Sequence, residues 1–284
     1  MWPNFYVVGA AKCGTTSVWA YLKKHPEVFL PEIKEPSFFT KELPRPGLED
    51  FVCTGNEEKY HRLYRRAKGY RAIGDSSALY LWDPVSPGWI RDVCPHARIV
   101  ILLRDPVERA YSHYWMIARA EKNVPPFFEA IQLDSLGTVG GGLYFAQVRR
   151  YLETFGREQV GIFLFENLKK DPQGIMSAIC SHIGVDPALL DVRKNARVHN
   201  AGQAPRVKWL YNAARAALSP RLRLRILPPS VHEWIRSSTL LYKRYKPPKD
   251  ERASRYLQDI YEPDLCSLEE LLGRKLPELR KSWV

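Results

Sequence analysis

The sequence has no run of about 18 apolar residues, so nothing in it reads as a membrane-crossing helix. It has no CxxC pair and no Cys/His cluster at metal-ligand spacing. The five cysteines, Cys13, Cys53, Cys94, Cys180 and Cys266, are odd in number and far apart, which argues against a disulfide framework and a zinc site. Free thiols in a reducing compartment are the expectation. The opening residues Met1-Trp2-Pro3-Asn4 contain no basic, apolar, cleavable segment, so no signal peptide is read and a cytoplasmic protein is expected. Internal repeats and low-complexity tracts are also missing, which leaves an ordinary folded chain.

Acidic residues are scarce in one place. Between residues 206 and 249 there are eleven Lys/Arg and a single acid, Glu233, so this block carries most of the net charge of +12. Such a block suits an anionic partner, whether nucleotide, acidic glycan, nucleic acid or membrane surface, and it equally suits a solvated face. At 284 residues, with 45% hydrophobic and 26% charged, the chain can bury a sizeable core and is read as one domain.

The stretch FYVVGAAKCGTTS, residues 5–17, organises the rest. Phe5, Tyr6, Val7 and Val8 form a short β-prone run, residues 9–14 are a small-residue turn, and Thr15, Thr16 and Ser17 open a helical pattern ending near His25-Pro26. A strand, a tight glycine turn and a helix start make an anion site, because unpaired amides and the positive end of the helix dipole converge there. Gly9 and Gly14 have the spacing of a P-loop, but the residue after Gly14 is Thr15 and the lysine stands at Lys12. That displacement implies a phosphate geometry unlike that of a nucleoside triphosphatase. Cys13 has two readings, a nucleophile whose thiol is acidified by the helix end or a small packing residue.

Residues 98–104 (RIVILLR) form a continuous apolar run of the two-sided, parallel kind, ending at Arg104. A helix over residues 107–120 then places Ser112 two turns in, so that a guanidinium and a hydroxyl could hold one phosphate; Arg104 pairing with Asp105 or Glu108 is the plainer alternative. In KEPSFF, residues 34–39, Glu35 stands beside two phenylalanines, and a partly desolvated carboxylate there is a candidate general base. Further strands are read at 28–30 and 160–165, with a short strand followed by a turn over 72–77, helices at 57–68, 143–155 and 174–183 and a glycine break at 140–142. Strands alternating with helices give an α/β fold with a mostly parallel sheet flanked by helices. After residue 190 the alternation stops, with a basic helix expected over 206–218 and a final helical region over 250–272.

Together these stretches resemble sulfotransferases that use 3′-phosphoadenosine-5′-phosphosulfate (PAPS), especially the bacterial and heparan-sulfate-type branch. The motifs that carry the resemblance are GAAKCGTTS, KEPSFF, LLRDPVERAYSHY, the helix–strand unit of residues 143–168 and the tail YEPDLCSLEELLGRKL, all in the family's order. The resemblance implies a P-loop-like single domain over 1–284, with a nucleotide-binding α/β core over 1–190 and a helical, basic C-terminal part over 191–284. It implies that Lys12, Cys13, Gly14, Thr15, Thr16 and Ser17 hold the 5′-phosphosulfate and that Arg104 and Ser112 hold the 3′-phosphate. Lys12 and Glu35 would be catalytic, and no metal is called for. The partners implied are PAPS, which leaves as PAP, and an acceptor that is a saccharide, lipid or small natural product; nucleic acid is not expected. One position departs from the pattern: Ser76 stands where many heparan-sulfate-type members carry lysine. The rival readings are a non-catalytic binder of nucleic acid or membrane through residues 206–249 and a P-loop kinase.

Overall fold

In the computed structural model, residues 1–41, 53, 55–120, 123–134, 137–192, 203–205, 242–244 and 250–283 are described. The first strand, β1 (Phe5–Gly9), is buried along its whole length and leads through a turn into helix α1 (Thr15–Leu22). Then follow β2 (Val28–Phe29), α2 (Glu57–Leu63), β3 (Ala72–Ser76), α3 (Ser86–Val93), β4 (Arg98–Leu103) and α4 (Pro106–Ala120). The chain continues through α5 (Phe127–Gln132), α6 (Tyr144–Phe155), β5 (Val160–Leu164), α7 (Phe165–Lys170) and α8 (Pro172–His182). After the short strands β6 (Gln203–Pro205) and β7 (Tyr242–Arg244) it ends in α9 (Glu251–Leu272) and a 3-10 turn.

Strands β1 to β5 form a parallel sheet in the order β2-β3-β1-β4-β5. The apolar run of β4 explains its central place. Ile99, Val100, Ile101, Leu102 and Leu103 are all fully buried, as a strand covered on both faces requires. Each such side chain contributes roughly 1.5–3 kcal/mol relative to exposure. The chain lays β2 and β3 on one side of β1 and then crosses to β4 and β5 on the other, so the strand order reverses at the β1/β4 boundary. Ligands of open α/β sheets bind beyond the strands' carboxyl ends at such a switch point.

Two compact units are present, one made of Met1–Arg197 with Asp250–Val284, the other of Val198–Lys249. In the second, β6 and β7 pair antiparallel. The helix expected over 206–218 and most of the basic block lie outside the described residues. In the first, α9 is tied to α6 because Asp264 accepts the Tyr144 and Phe145 amides that open α6. The glycine break at 140–142 is an ordered 3-10 turn: Gly142 is buried, and a Cβ there would meet the Tyr261 ring at 2.8 Å. Helices α3 and α5 were not expected; α3 reads SPGWIRDV, whose proline and glycine hide a helix held by burial of Pro87 and Ile90. All five cysteines are free thiols.

Gly14 caps α1 in the left-handed region at φ 92°, and an added Cβ would sit 2.7 Å from the Phe165 ring. Gly14→Ala should therefore lose about 2–4 kcal/mol of stability, from backbone strain and overpacking together, read as a lower urea midpoint at unchanged slope.

Candidate active site

The loop after β1 is pinned to the sheet by the Ala10 amide, which donates to the Leu102 carbonyl of β4 at 2.7 Å. The Cys13 amide turns back to the Ala10 carbonyl at 3.2 Å, and Lys12 between them is left-handed at φ 71°. Helix α1 then starts, with the Ser17 and Val18 amides on the Gly14 carbonyl. The amides of Gly14, Thr15 and Thr16 have no acceptor among the described residues. Three unpaired donors at a helix N-terminus, beside a left-handed lysine, make a nest for an anion. The Cys13 side chain faces the other way. It is fully buried, 3.7 Å from the Tyr144 hydroxyl, and burial pushes its thiol up to about 11, so it packs rather than attacks.

At the end of β4, Arg104 reaches back to that loop: its Nη1 donates to the Lys12 carbonyl at 3.3 Å. Its Nη2 pairs with Glu108 at 3.0 Å, and the guanidinium lies over the Phe165 ring at 5.0 Å. Arg104 Nε is buried with no partner. The plainer alternative, pairing with Glu108, is what the structure shows, and Nε is left as an unused donor. The adjoining Asp105 caps α4, accepting the Val107 and Glu108 amides at 3.0 and 3.2 Å, and also accepts the Ser282 amide at 2.9 Å. Along α4, Glu108, Ser112 and Met116 recur every four residues and share one face. Glu108 contacts Arg104, and the Met116 sulfur lies 3.5 Å from Lys12 Nζ, so half-buried Ser112 lies on the stripe between them. The residues read as two phosphate sites are therefore brought together at the β1/β4 boundary.

Glu35 arrives from the loop after β2. Its amide donates to the Ser76 carbonyl at 3.0 Å, at the end of β3, and Ser76 is in register with Val7 of β1. The expectation that two phenylalanines desolvate its carboxylate does not hold. Phe38 and Phe39 point into an aromatic cluster with Trp2 and Tyr60, while the Glu35 side chain stays 42% exposed and ion-paired with Lys34. Ser76 is 1% exposed with Oγ unpartnered, so the cation at Glu35 comes from Lys34 instead. Sequence reasoning missed Lys34, although it adjoins Glu35, and missed Asp75, a carboxylate at the end of a buried strand. Asp75 has no solvent exposure; it accepts from the Ser77 hydroxyl at 2.7 Å and from the Tyr80 and Tyr60 hydroxyls at 2.8 and 2.9 Å.

Comparison with known proteins identifies the class. A family model described as a sulfotransferase domain matches residues 3–213, and the chain belongs to that family. It carries the fold and domain of the enzymes that move a sulfuryl group from PAPS to an acceptor. Among solved structures, a sulfotransferase from Alicyclobacillus acidocaldarius matches with 28% identity, a TM-score of 0.74 and 99% coverage of both chains. Mouse sulfotransferase SULT7A1 complexed with PAP shares the fold, at 19% identity and TM-score 0.52 over 94% of this chain and 88% of that one. Carbohydrate sulfotransferase 15 of Homo sapiens is 30% identical over 45% of this chain and 30% of its own length. Membrane-associated sulfotransferase kil1 of Dictyostelium discoideum is 31% identical over 45% of this chain and 26% of its own. The chain thus spans less than a third of the length of these two curated relatives.

These matches overturn the cytoplasmic assignment. They include a membrane-associated sulfotransferase, and the assignment rested on apolar patterning, a missing leader and unpaired cysteines, none of which can place a domain that in this relative covers a quarter of a longer protein. Among the described residues no helix is long and apolar enough to cross a membrane.

The buried carboxylate makes stability pH-dependent. Burial pushes Asp75 up to about 6, against the opposing pull of its three hydroxyl donors and with Glu35 as the carboxylate facing it. The folded chain therefore holds this proton more tightly than the unfolded one. The stabilisation is complete below about pH 4 and is lost as pH rises through about 6. Denaturant titrations should show roughly 3 kcal/mol of stability lost over that window on account of this group, and Asp75→Asn should flatten the slope.

Proposed function

We propose that this chain transfers a sulfuryl group from PAPS to a hydroxyl or amine of an acceptor, with Lys12 and Glu35 as catalytic residues. The observation that carries the reading is the Arg104–Lys12 contact at the sheet's switch point, which joins two cationic anion sites. In this reading residues 12–17 cradle the 5′-phosphosulfate, with the Gly14, Thr15 and Thr16 amides as donors and Cys13 contributing only backbone. Arg104, through its unused Nε, and Ser112 take the 3′-phosphate. The residues fit such a dianion: unpaired amides, a buried unsatisfied guanidinium nitrogen and a lysine converge where one would lie.

PAPS supplies the sulfuryl group and a phosphate leaving group. The acceptor oxygen or nitrogen attacks sulfur as the bond from sulfur to the bridging phosphate oxygen breaks. Lys12 neutralises charge growing on that oxygen, and the acceptor's proton passes to Glu35. Lys34 pairs with the Glu35 carboxylate and supplies the cation that Ser76 cannot. This chemistry draws its positive charge from side chains and amides and asks for no metal. A saccharide hydroxyl is the first acceptor class to screen, on the likeness to a carbohydrate sulfotransferase; lipids and small natural products follow. The reading treats 1–284 as one sulfotransferase domain, with 1–190 as its nucleotide-binding core.

Calorimetry with PAP tests the reading. PAP should bind without added metal and with chelator present, and Arg104→Ala should weaken it by about 10- to 100-fold. Lys12→Ala should lower transfer by about 10²–10³-fold, and Glu35→Gln should lower it by about 10²–10⁴-fold while leaving PAP affinity unchanged. Binding of ATP-magnesium in preference to PAP would overturn the proposal.

A further inference from the structure

The buried carboxylate at the end of β3 has no ion-pair partner among the described residues. Asp75 is fully enclosed, with no ion pair to an ammonium or guanidinium among the described residues, and every hydrogen bond recorded to it comes from a hydroxyl: Ser77, Tyr60 and Tyr80. An unpaired buried carboxylate is costly compared with a neutral residue of the same shape, so stability alone does not account for it.

What it does is fix the polarity of the hydroxyls around it. An ionised carboxylate only accepts, so the single proton of each hydroxyl is committed inward and its lone pairs face outward. Two of those oxygens meet the base-bearing loop. Ser77 Oγ accepts the Ser37 amide at 3.1 Å, and the Tyr80 hydroxyl accepts the Phe38 amide at 3.0 Å. These amides lie immediately after a strained turn, since Glu35 at φ 64° and Ser37 at φ 52° are both left-handed without being glycine, on either side of Pro36. Two such residues are strained and persist only where the surroundings over-determine them. The third tie is the Glu35 amide on the carbonyl of Ser76, the residue next to Asp75.

We infer that Asp75 is a positioning residue: through Ser77 and Tyr80 it holds the Glu35–Ser37 turn in the conformation that presents the Glu35 carboxylate to the acceptor. It does not touch substrate. The inference rests on Glu35 being the base, so the test must separate the two.

Three variants each remove one group with little change of shape: Ser77→Ala, Tyr80→Phe and Asp75→Asn. Tyr64→Phe is the control, a buried hydroxyl of the same aromatic cluster that lies 3.3 Å from the Gly74 carbonyl and 3.5 Å from the Tyr60 hydroxyl and makes no recorded hydrogen bond to the turn. Two rates are read beside PAP affinity. One is release of inorganic sulfate from PAPS, transfer to water that needs no identified acceptor; the other is hydrogen exchange of the Ser37 and Phe38 amides.

Ser77→Ala and Tyr80→Phe should bind PAP like the parent, exchange those amides at least tenfold faster and release sulfate about tenfold or more slower. Asp75→Asn should lose at least as much, because it frees both hydroxyls to turn. Tyr64→Phe should change neither rate. If Asp75→Asn fails to fold, the two hydroxyl variants decide. The inference is overturned if they fold, bind PAP normally and keep the parent's sulfate release while Glu35→Gln does not, or if amide exchange is unmoved. Full sulfate release by Glu35→Gln would instead remove the base assignment, and unmoved amide exchange in the hydroxyl variants would still overturn the positioning separately.

Discussion

Five parallel strands laid side by side leave every carboxyl end on one edge of the sheet, and the candidate chemistry of this chain hangs from that edge. The loop carrying Lys12 leaves β1, the segment carrying Glu35 follows β2, Asp75 and Ser76 close β3, Arg104 follows β4 and Phe165 follows β5. None of these segments is near another in sequence. They meet because β1 lies between β3 and β4, with reversal of strand order opening a gap where backbone donors face outward. Gly14 shows how tight that meeting is, since even a methyl group would collide with Phe165 from the far side of β4.

The edge collects positive charge in two distinct forms. Around α1 it comes mainly from backbone amides and helix dipole, which are fixed in place and need no reorganisation when an anion arrives. Around β4 it comes from a guanidinium already half committed: Arg104 gives one nitrogen to the Lys12 carbonyl and another to Glu108, and lies over the Phe165 ring. A planar fork restrained on three sides can offer its remaining donor in only one direction. An anion bound there would be selected by shape as well as by sign, which a mobile lysine could not do.

Much of this could be read from the chain because continuous apolar runs and glycine turns are local signals. The run of β4 fixed the place of Arg104, and the glycine turn fixed the place of Lys12. Asp75, Ser77 and Tyr80 could not be read the same way, because they act on residues about 40 positions earlier and no spacing announces such a contact. The surroundings of Glu35 were misread for a related reason. Two aromatic neighbours in sequence suggested an apolar pocket, but the turn at Pro36 sends their rings into the cluster around Trp2 and Tyr60 and leaves the carboxylate outside. The charge of residues 206–249 is plain in the sequence, because composition is a local signal, whereas what a charge meets depends on contacts that no spacing announces.

Two carboxylates near the end of β3 are placed in opposite surroundings, and that contrast divides their work. A proton acceptor in sulfuryl transfer must be reachable by an acceptor group of unknown size, which excludes Asp75, sealed beneath three hydroxyls. Glu35 is reachable, but a side chain 42% exposed on a loop has no precision of its own. The direction of its carboxylate must come from the backbone beneath it, and that backbone is strained. The sealed carboxylate supplies what the exposed one lacks: a fixed charge that orients hydroxyls, which in turn hold amides. Exchanging the two environments would leave a rigid base that nothing can reach and a mobile one that nothing aims.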